Sequence, residues 1–279
     1  MSTTITASAV NELRQKTGAG LMDCKKALAE SNGDFEAAID YLRKKGAKVA
    51  AMRSDRDAKE GAVIALTNEA GTAGVILHLT SETDFVAKNE EFVAFATDLA
   101  KLALENNCNS SEEVLALSMG GAKVSDKITE MVGKIGERIE VKNFVRIEAA
   151  CVVPYIHMNN KLAVLVNFNQ PKNEKLVAVG KDIAMQIAAM NPISVDKEDV
   201  PAEVLERELE IGREQARAEN KPAEMIEKIA QGKLGKFYKE QTLTGQQFVK
   251  DGSKTVADVL KEVDAALKVV SFRRVTLGS

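Results

Sequence analysis

Tryptophan is absent from this chain, histidine occurs only as His78 and His157, and cysteine only as Cys24, Cys108 and Cys151. Three isolated thiols are an odd set without ligand spacing, so they exclude a disulfide framework and a thiolate metal site and read as buried apolar thiols. Neither histidine belongs to an H-E-x-x-H motif, and no metal or other cofactor is expected. The chain also lacks a G-x-x-x-x-G-K-[ST] phosphate loop, a G-x-G-x-x-G turn after a strand and a G-x-S-x-G elbow. No nucleotide site of its own is therefore expected, nor covalent catalysis. The paired carboxylates Glu90 and Glu91 open a helix, where the helix dipole accounts for them. Charge of one sign is missing as well: 38 basic and 41 acidic residues leave a net charge of -3, without the positive excess that neutralises phosphates, so nucleic acid is not the expected partner. Met1-Ser2-Thr3-Thr4-Ile5 has neither the basic start nor the apolar run of a signal peptide, and no stretch has the length of a membrane span. The expectation is a cytoplasmic protein that binds a partner without membrane contact.

What is present is a core-forming chain of 279 residues, 45% hydrophobic and 28% charged, long enough for more than one domain. Residues 1–46 read as a module of three short helices, from the spacing of Val10 and Leu13, Cys24 and Leu28, Ala38 and Leu42. Gly18-Ala19-Gly20 and Asn32-Gly33 form the turns, and Asp34 is placed to cap the third helix. Residues 47–61, charged around Arg53-Ser54-Asp55-Arg56-Asp57 and short of large apolar side chains, read as a linker. Two strands follow at Ala62–Leu66 and Gly74–Leu79, then a helix from Asn89. The order returns as a strand over Ile147–Ile156, a turn at Asn159-Asn160, a strand over Leu162–Phe168 and a helix from Asn173. At an offset of 84 the two helix starts, Asn89–Ala100 and Asn173–Ala184, share six of twelve residues, with the apolar stripe kept. This is an internal duplication. It divides the core into subdomains at 62–145 and 146–279, with Ser110–Glu137 expected to be helical between the copies. The segment 200–240 reads as an inserted antiparallel helical hairpin, turned by Asn220-Lys221-Pro222. The tail closes with a helix over Val256–Leu267 and a strand over Val269–Val275. The fold class is α+β.

The copies differ between the second strand and the helix: Gly74 to Asn89 takes 16 residues, Lys161 to Asn173 only 13. The longer connection contains Ser81-Glu82-Thr83-Asp84-Phe85-Val86-Ala87-Lys88, and an insertion in one copy of a repeated scaffold is a place to look for function. The residues alone leave Asp84 open between a helix cap and a functional acid, and Phe85 open between a core aromatic and an exposed one.

Three stretches then resemble the elongation factor Ts family: Thr17-Gly18-Ala19-Gly20-Leu21-Met22-Asp23-Cys24-Lys25-Lys26-Ala27-Leu28 near the N-terminus, Thr83-Asp84-Phe85-Val86-Ala87-Lys88-Asn89 in the centre, and Leu243-Thr244-Gly245-Gln246 with Phe248-Val249 toward the end. The resemblance runs through essentially the whole chain. It implies an N-terminal module similar to a ubiquitin-associated fold, and a guanine-nucleotide exchange factor for elongation factor Tu that acts by protein binding. It further implies that Thr83, Asp84, Phe85 and Val86 form the loop that displaces the partner's magnesium ion. Arg14, Leu21, Met22 and Lys25 would dock on the partner's GTPase domain, and Ile135, Gly136 and His157 would touch it elsewhere. Of the adjacent pair Leu21 and Met22, one is expected in the module core, since neighbours on a helix do not share a face. Gln247 departs from the proline usual in the family. The chain stops at Ser279, whereas many members continue into a further helix that also contacts the partner.

Overall fold

The computed structural model describes residues 5–278; the N-terminal Met1–Thr4 read above, and Ser279, lie outside the described residues. The chain is α+β. Its elements are α1 (Ala7–Thr17), α2 (Leu21–Glu30), α3 (Phe35–Arg53), β1 (Glu60–Thr67), β2 (Ala73–Ser81), α4 (Asp84–Ala87), α5 (Glu90–Glu105), α6 (Ser111–Ala116), β3 (Ser118–Met119), β4 (Ala122–Lys123), α7 (Val124–Ile135), β5 (Glu140–Glu148), β6 (Cys151–His157), β7 (Leu162–Phe168), α8 (Glu174–Met190), α9 (Ala202–Ala218), α10 (Ala223–Gln241), β8 (Gln247–Phe248), β9 (Asp251–Thr255), α11 (Val256–Val263) and β10 (Val269–Thr276). The order hairpin then helix occurs twice, as β1-β2 before α5 and as β6-β7 before α8. Two three-stranded sheets have the orders β1-β2-β5 and β10-β7-β6. The chain divides into two compact units, one of residues up to Ile64, Leu77–Val145 and those from Thr276, the other of Ala65–Ile76 and Arg146–Val275.

In the first unit, the helix ends obey the local signals. Thr6 caps α1, Gly18 ends it at φ 66 with its N–H bonded to Arg14 O, and Asp34 Oδ1 accepts from Ala37 N at 2.9 Å to start α3. Val10, Leu13, Cys24, Ala27, Leu28 and Ala38 form the module's buried cluster. Helix α3 does not stop at the module: residues 47–53, read above as linker, continue it to Arg53, and it packs along α7. The crossing depends on two glycines. A Cβ on Gly133 would lie 2.8 Å from Gly46 Cα, and one on Gly46 2.9 Å from Thr129 O, so only hydrogen fits on both sides. The expected helix over Ser110–Glu137 is instead α6, the antiparallel β3-β4 hairpin and α7. Gly120 and Gly121, at φ 59 and 82, supply the two left-handed residues of a tight hairpin turn, a demand that outweighs helical periodicity.

In the second unit, β6 and β7 pair antiparallel from Cys151↔Phe168 to His157↔Leu162. The strand expected over Ile147–Ile156 is two strands, since β5 and β6 belong to different sheets. Every residue of β7 is buried, and Val164, Val166, Phe168, Leu176, Ile183 and Ile187 join Val256, Leu260 and Val269 in one core. Each such side chain contributes roughly 1.5–3 kcal/mol by leaving water. Helices α9 and α10 pack against each other around buried Gly212, Ala216, Ala230 and Leu234, tied outside by Arg213 to Glu227 at 2.8 Å.

Candidate functional site

The longer connection of the first copy, residues 82–89, carries the short helix α4. Thr83 is its N-cap, with Oγ1 accepting from Val86 N at 3.4 Å; Asp84 is its first residue and pairs with Lys88 at 2.5 Å. The cap reading of Asp84 is thereby corrected, since the capping oxygen comes from the residue before it. Asp84 in turn holds the Lys88 ammonium above its ordinary pKa, by hydrogen bond first and charge second. Phe85 is 84% exposed, so it is no core aromatic; Thr83, Asp84 and Val86 are half-buried beside it. The ring at the loop tip therefore stands in water.

The base of this loop is held by residues distant in sequence. Glu82 carboxylate accepts from Arg53 Nη1 at 2.8 and 2.9 Å and from Arg138 N at 2.7 Å. Burial raises the Glu82 pKa, but the Arg138 N–H and the Arg53 guanidinium outweigh it, and the net shift is downward. Ser81 Oγ donates to Thr83 O at 3.0 Å, and Glu137 accepts from Glu82 N, Thr83 N and Thr83 Oγ1. Ile135 ends α7 and Gly136, at φ 79, is its left-handed cap with N–H to Val132 O at 2.8 Å; both are half-buried. The next residue is the Glu137 that meets the loop, so α7 brings Ile135 and Gly136 to the same locality. Sequence reading missed Arg53, Glu82, Glu137 and Arg138. Only the position of Glu137 directly after a glycine cap hints at it.

Arg14, Leu21, Met22 and Lys25 are all exposed on α1 and α2. Leu21 is 49% and Met22 71% exposed, and neither belongs to the module's cluster, which corrects the expectation that one of them is core. The reason is position: the buried stripe of α2 is Cys24, Ala27 and Leu28, and Leu21 lies a turn ahead at the helix's first residue. His157 belongs to the other unit, at the end of β6, half-buried, with Nδ1 2.9 Å from Tyr155 Oη and its ring stacked on that tyrosine. The three cysteines are buried. Among the described residues no group of three or more His, Cys, Asp or Glu is arranged to hold a metal ion, and no helix is long and apolar enough to cross a membrane.

Phe85 on the pinned loop, and Leu21 and Met22 on the first turn of α2, are exposed apolar side chains. Comparison with known proteins gives the class. The family model described as elongation factor TS matches residues 82–279. Elongation factor Ts of Flavobacterium psychrophilum is 50% identical over 275 residues, and that of Amoebophilus asiaticus 51% over 275, each alignment covering 99% of both chains. Elongation factor Ts of Chlorobium phaeobacteroides is 46% identical over 285 aligned positions at the same coverage. The chain belongs to the elongation factor Ts family.

Proposed function

We propose that this protein is a guanine-nucleotide exchange factor that promotes GDP release from elongation factor Tu during translation elongation in the cytoplasm. Family membership supports the activity and the partner; the observation that supports the mechanism is the exposed Phe85 on a loop pinned at its base. Such a GTPase holds its nucleotide through phosphate-loop amides, a lysine and a bridging magnesium ion. A factor speeds release by binding the nucleotide-free partner more tightly than the GDP-bound one, and GDP weakens the factor's affinity by the same ratio. Phe85 acts as the wedge: burying its ring supplies about 1.5–3 kcal/mol, roughly a tenfold to hundredfold bias. Asp84 competes for donors and perturbs the metal's water shell, displacing the ion as the loop enters, while Thr83 and Val86 frame the ring. No bond is made or broken.

Residues 1–46 act as a ubiquitin-associated-like docking module that meets the partner's GTPase domain through Arg14, Leu21, Met22 and Lys25. Ile135, Gly136 and His157 supply further contacts. The chain itself takes no GDP or GTP, which isothermal titration of each nucleotide checks. Mixing the protein with elongation factor Tu loaded with fluorescent GDP is the direct experiment: release should accelerate strongly with the intact protein and only weakly with Phe85→Ala. Equal acceleration by a folded Phe85→Ala variant would remove the wedge mechanism, and no acceleration by the intact protein would remove the activity and leave a binding scaffold.

A further inference from the structure

Backbone N–H groups leaving a strand lose their ladder partners and need others. Where β2 ends, one carboxylate from a distant part of the chain supplies them. Glu137 Oε2 accepts from Glu82 N at 3.1 Å and from Thr83 N at 3.0 Å, while Oε1 accepts from the Thr83 hydroxyl at 2.6 Å. The last bond has a second effect. With its proton committed to Glu137, Thr83 Oγ1 presents its lone pairs to Val86 N, so the contact that ties down the loop also orients the cap of α4. Arg53 and Arg138 grip the Glu82 side chain from elsewhere in the same unit. Residues 82 and 83 are thus held at backbone and side chain, and two residues on, Phe85 stands in water.

We propose that Glu137 is a positioning residue for nucleotide exchange: by accepting the hydrogen bonds of Glu82 and Thr83 it sets the direction in which Phe85 projects before any partner is bound. This rests on residues 83–86 being the exchange loop. A loop ordered in advance loses less conformational entropy on entering the partner, and its ring arrives aimed; a loop freed at its base still carries Phe85 but presents it in many directions.

The test is stimulated release of fluorescent GDP from elongation factor Tu, followed against concentration of the intact protein, Glu137→Ala, Glu137→Gln, Phe85→Ala and the Glu137→Ala/Phe85→Ala double variant, each with a thermal melt. Glu137→Ala should lower the maximal stimulated rate about tenfold, the scale of losing charge-assisted hydrogen bonds in a positioned element, with the half-saturating concentration changed by less than about threefold. Glu137→Gln keeps one accepting oxygen and should fall between. The double variant should be no slower than Phe85→Ala alone, because a residue acting through the ring has nothing left to position. A full maximal rate in Glu137→Ala, or losses that multiply in the double variant, overturns the inference while a slow Phe85→Ala leaves the exchange loop standing. A normal Phe85→Ala overturns both. Should Glu137→Ala fail to melt cooperatively, Thr83→Val removes the hydroxyl bond from the other side and must show the same fall in maximal rate, or the inference fails.

Discussion

Both copies of the hairpin-plus-helix unit begin their helix with the same device and join it to the preceding strand in different ways. Asn89 caps α5 by accepting from Glu91 N at 2.9 Å, and Asn173 caps α8 by accepting from Leu176 N at 2.9 Å. Between strand and cap, residues 169–173 of the second copy are tied down at their start: Asn169 donates to Ala266 O and accepts from Lys268 N, which fastens the connection to the entrance of β10. Residues 82–89 of the first copy are fastened at their base by Glu137, while the tip carries a helical turn and an exposed phenylalanine. Both connections are fastened near their start and exposed beyond it, but only the longer one carries a helical turn and a protruding aromatic ring. Where the tethers fall decides which part of a loop stands in water.

The largest test of that contrast sets the two phenylalanines against each other. Phe168, the last residue of β7, is fully buried, and Phe168→Ala should cost about 3–5 kcal/mol of folding stability by urea denaturation. Next comes a strand position where the copies differ. His78 on β2 is 1% exposed and both ring nitrogens lack a hydrogen-bond partner, whereas β7 holds buried apolar residues such as Leu165. Burial, then the positive charge of Lys142, lower the His78 pKa from 6.5 to about 4, with Glu140 opposing. The folded state thus takes up its proton later than the unfolded one as pH falls. The associated stability is intact above about pH 6.5, declines between 6.5 and 4, and is flat below, a loss on the order of 3 kcal/mol. His78→Leu should abolish that part of the acid sensitivity in a pH series of denaturation curves. A slope unchanged by the substitution would mean that other groups carry it.

Smaller effects sharpen the likeness of the copies. Asn89→Ala and Asn173→Ala should each cost about 1 kcal/mol, and nearly equally, since the caps are alike; costs differing by more than about 1 kcal/mol would show that the helix starts are not equivalent. Smallest of all are the stability effects in the open loop. Phe85→Ala and Asp84→Ala should change folding free energy by no more than about 0.5 kcal/mol, because the ring is in water and the half-buried Asp84 pairs with an exposed Lys88 in a solvent-screened ion pair. A large stability loss at Phe85 would place the ring in a core and erase the difference between the two connections.

Much of this was legible in the residues. The cap Asp34, the helices starting at Asn89 and Asn173, the turn at Asn159-Asn160 and the strand Leu162–Phe168 follow from local chemistry, which acts over a few neighbouring residues and leaves a mark in sequence. Two amphipathic helices that keep the same stripe suggested a repeat, and the extra length between Gly74 and Asn89 pointed to the loop. Other features were beyond local reading. That α3 lies close against α7 depends on Gly46 and Gly133, whose significance exists only where the two helices cross. The exposure of both Leu21 and Met22, in the first turn of α2 ahead of its buried stripe, is not stated by periodicity. The sequence by itself determined which residues cap, turn and alternate, and where the odd loop lies. Only the tertiary structure decided that Phe85 stands in water and that Glu137 holds the loop beneath it, because a hydrogen bond across 54 residues arises from folding and not from pattern.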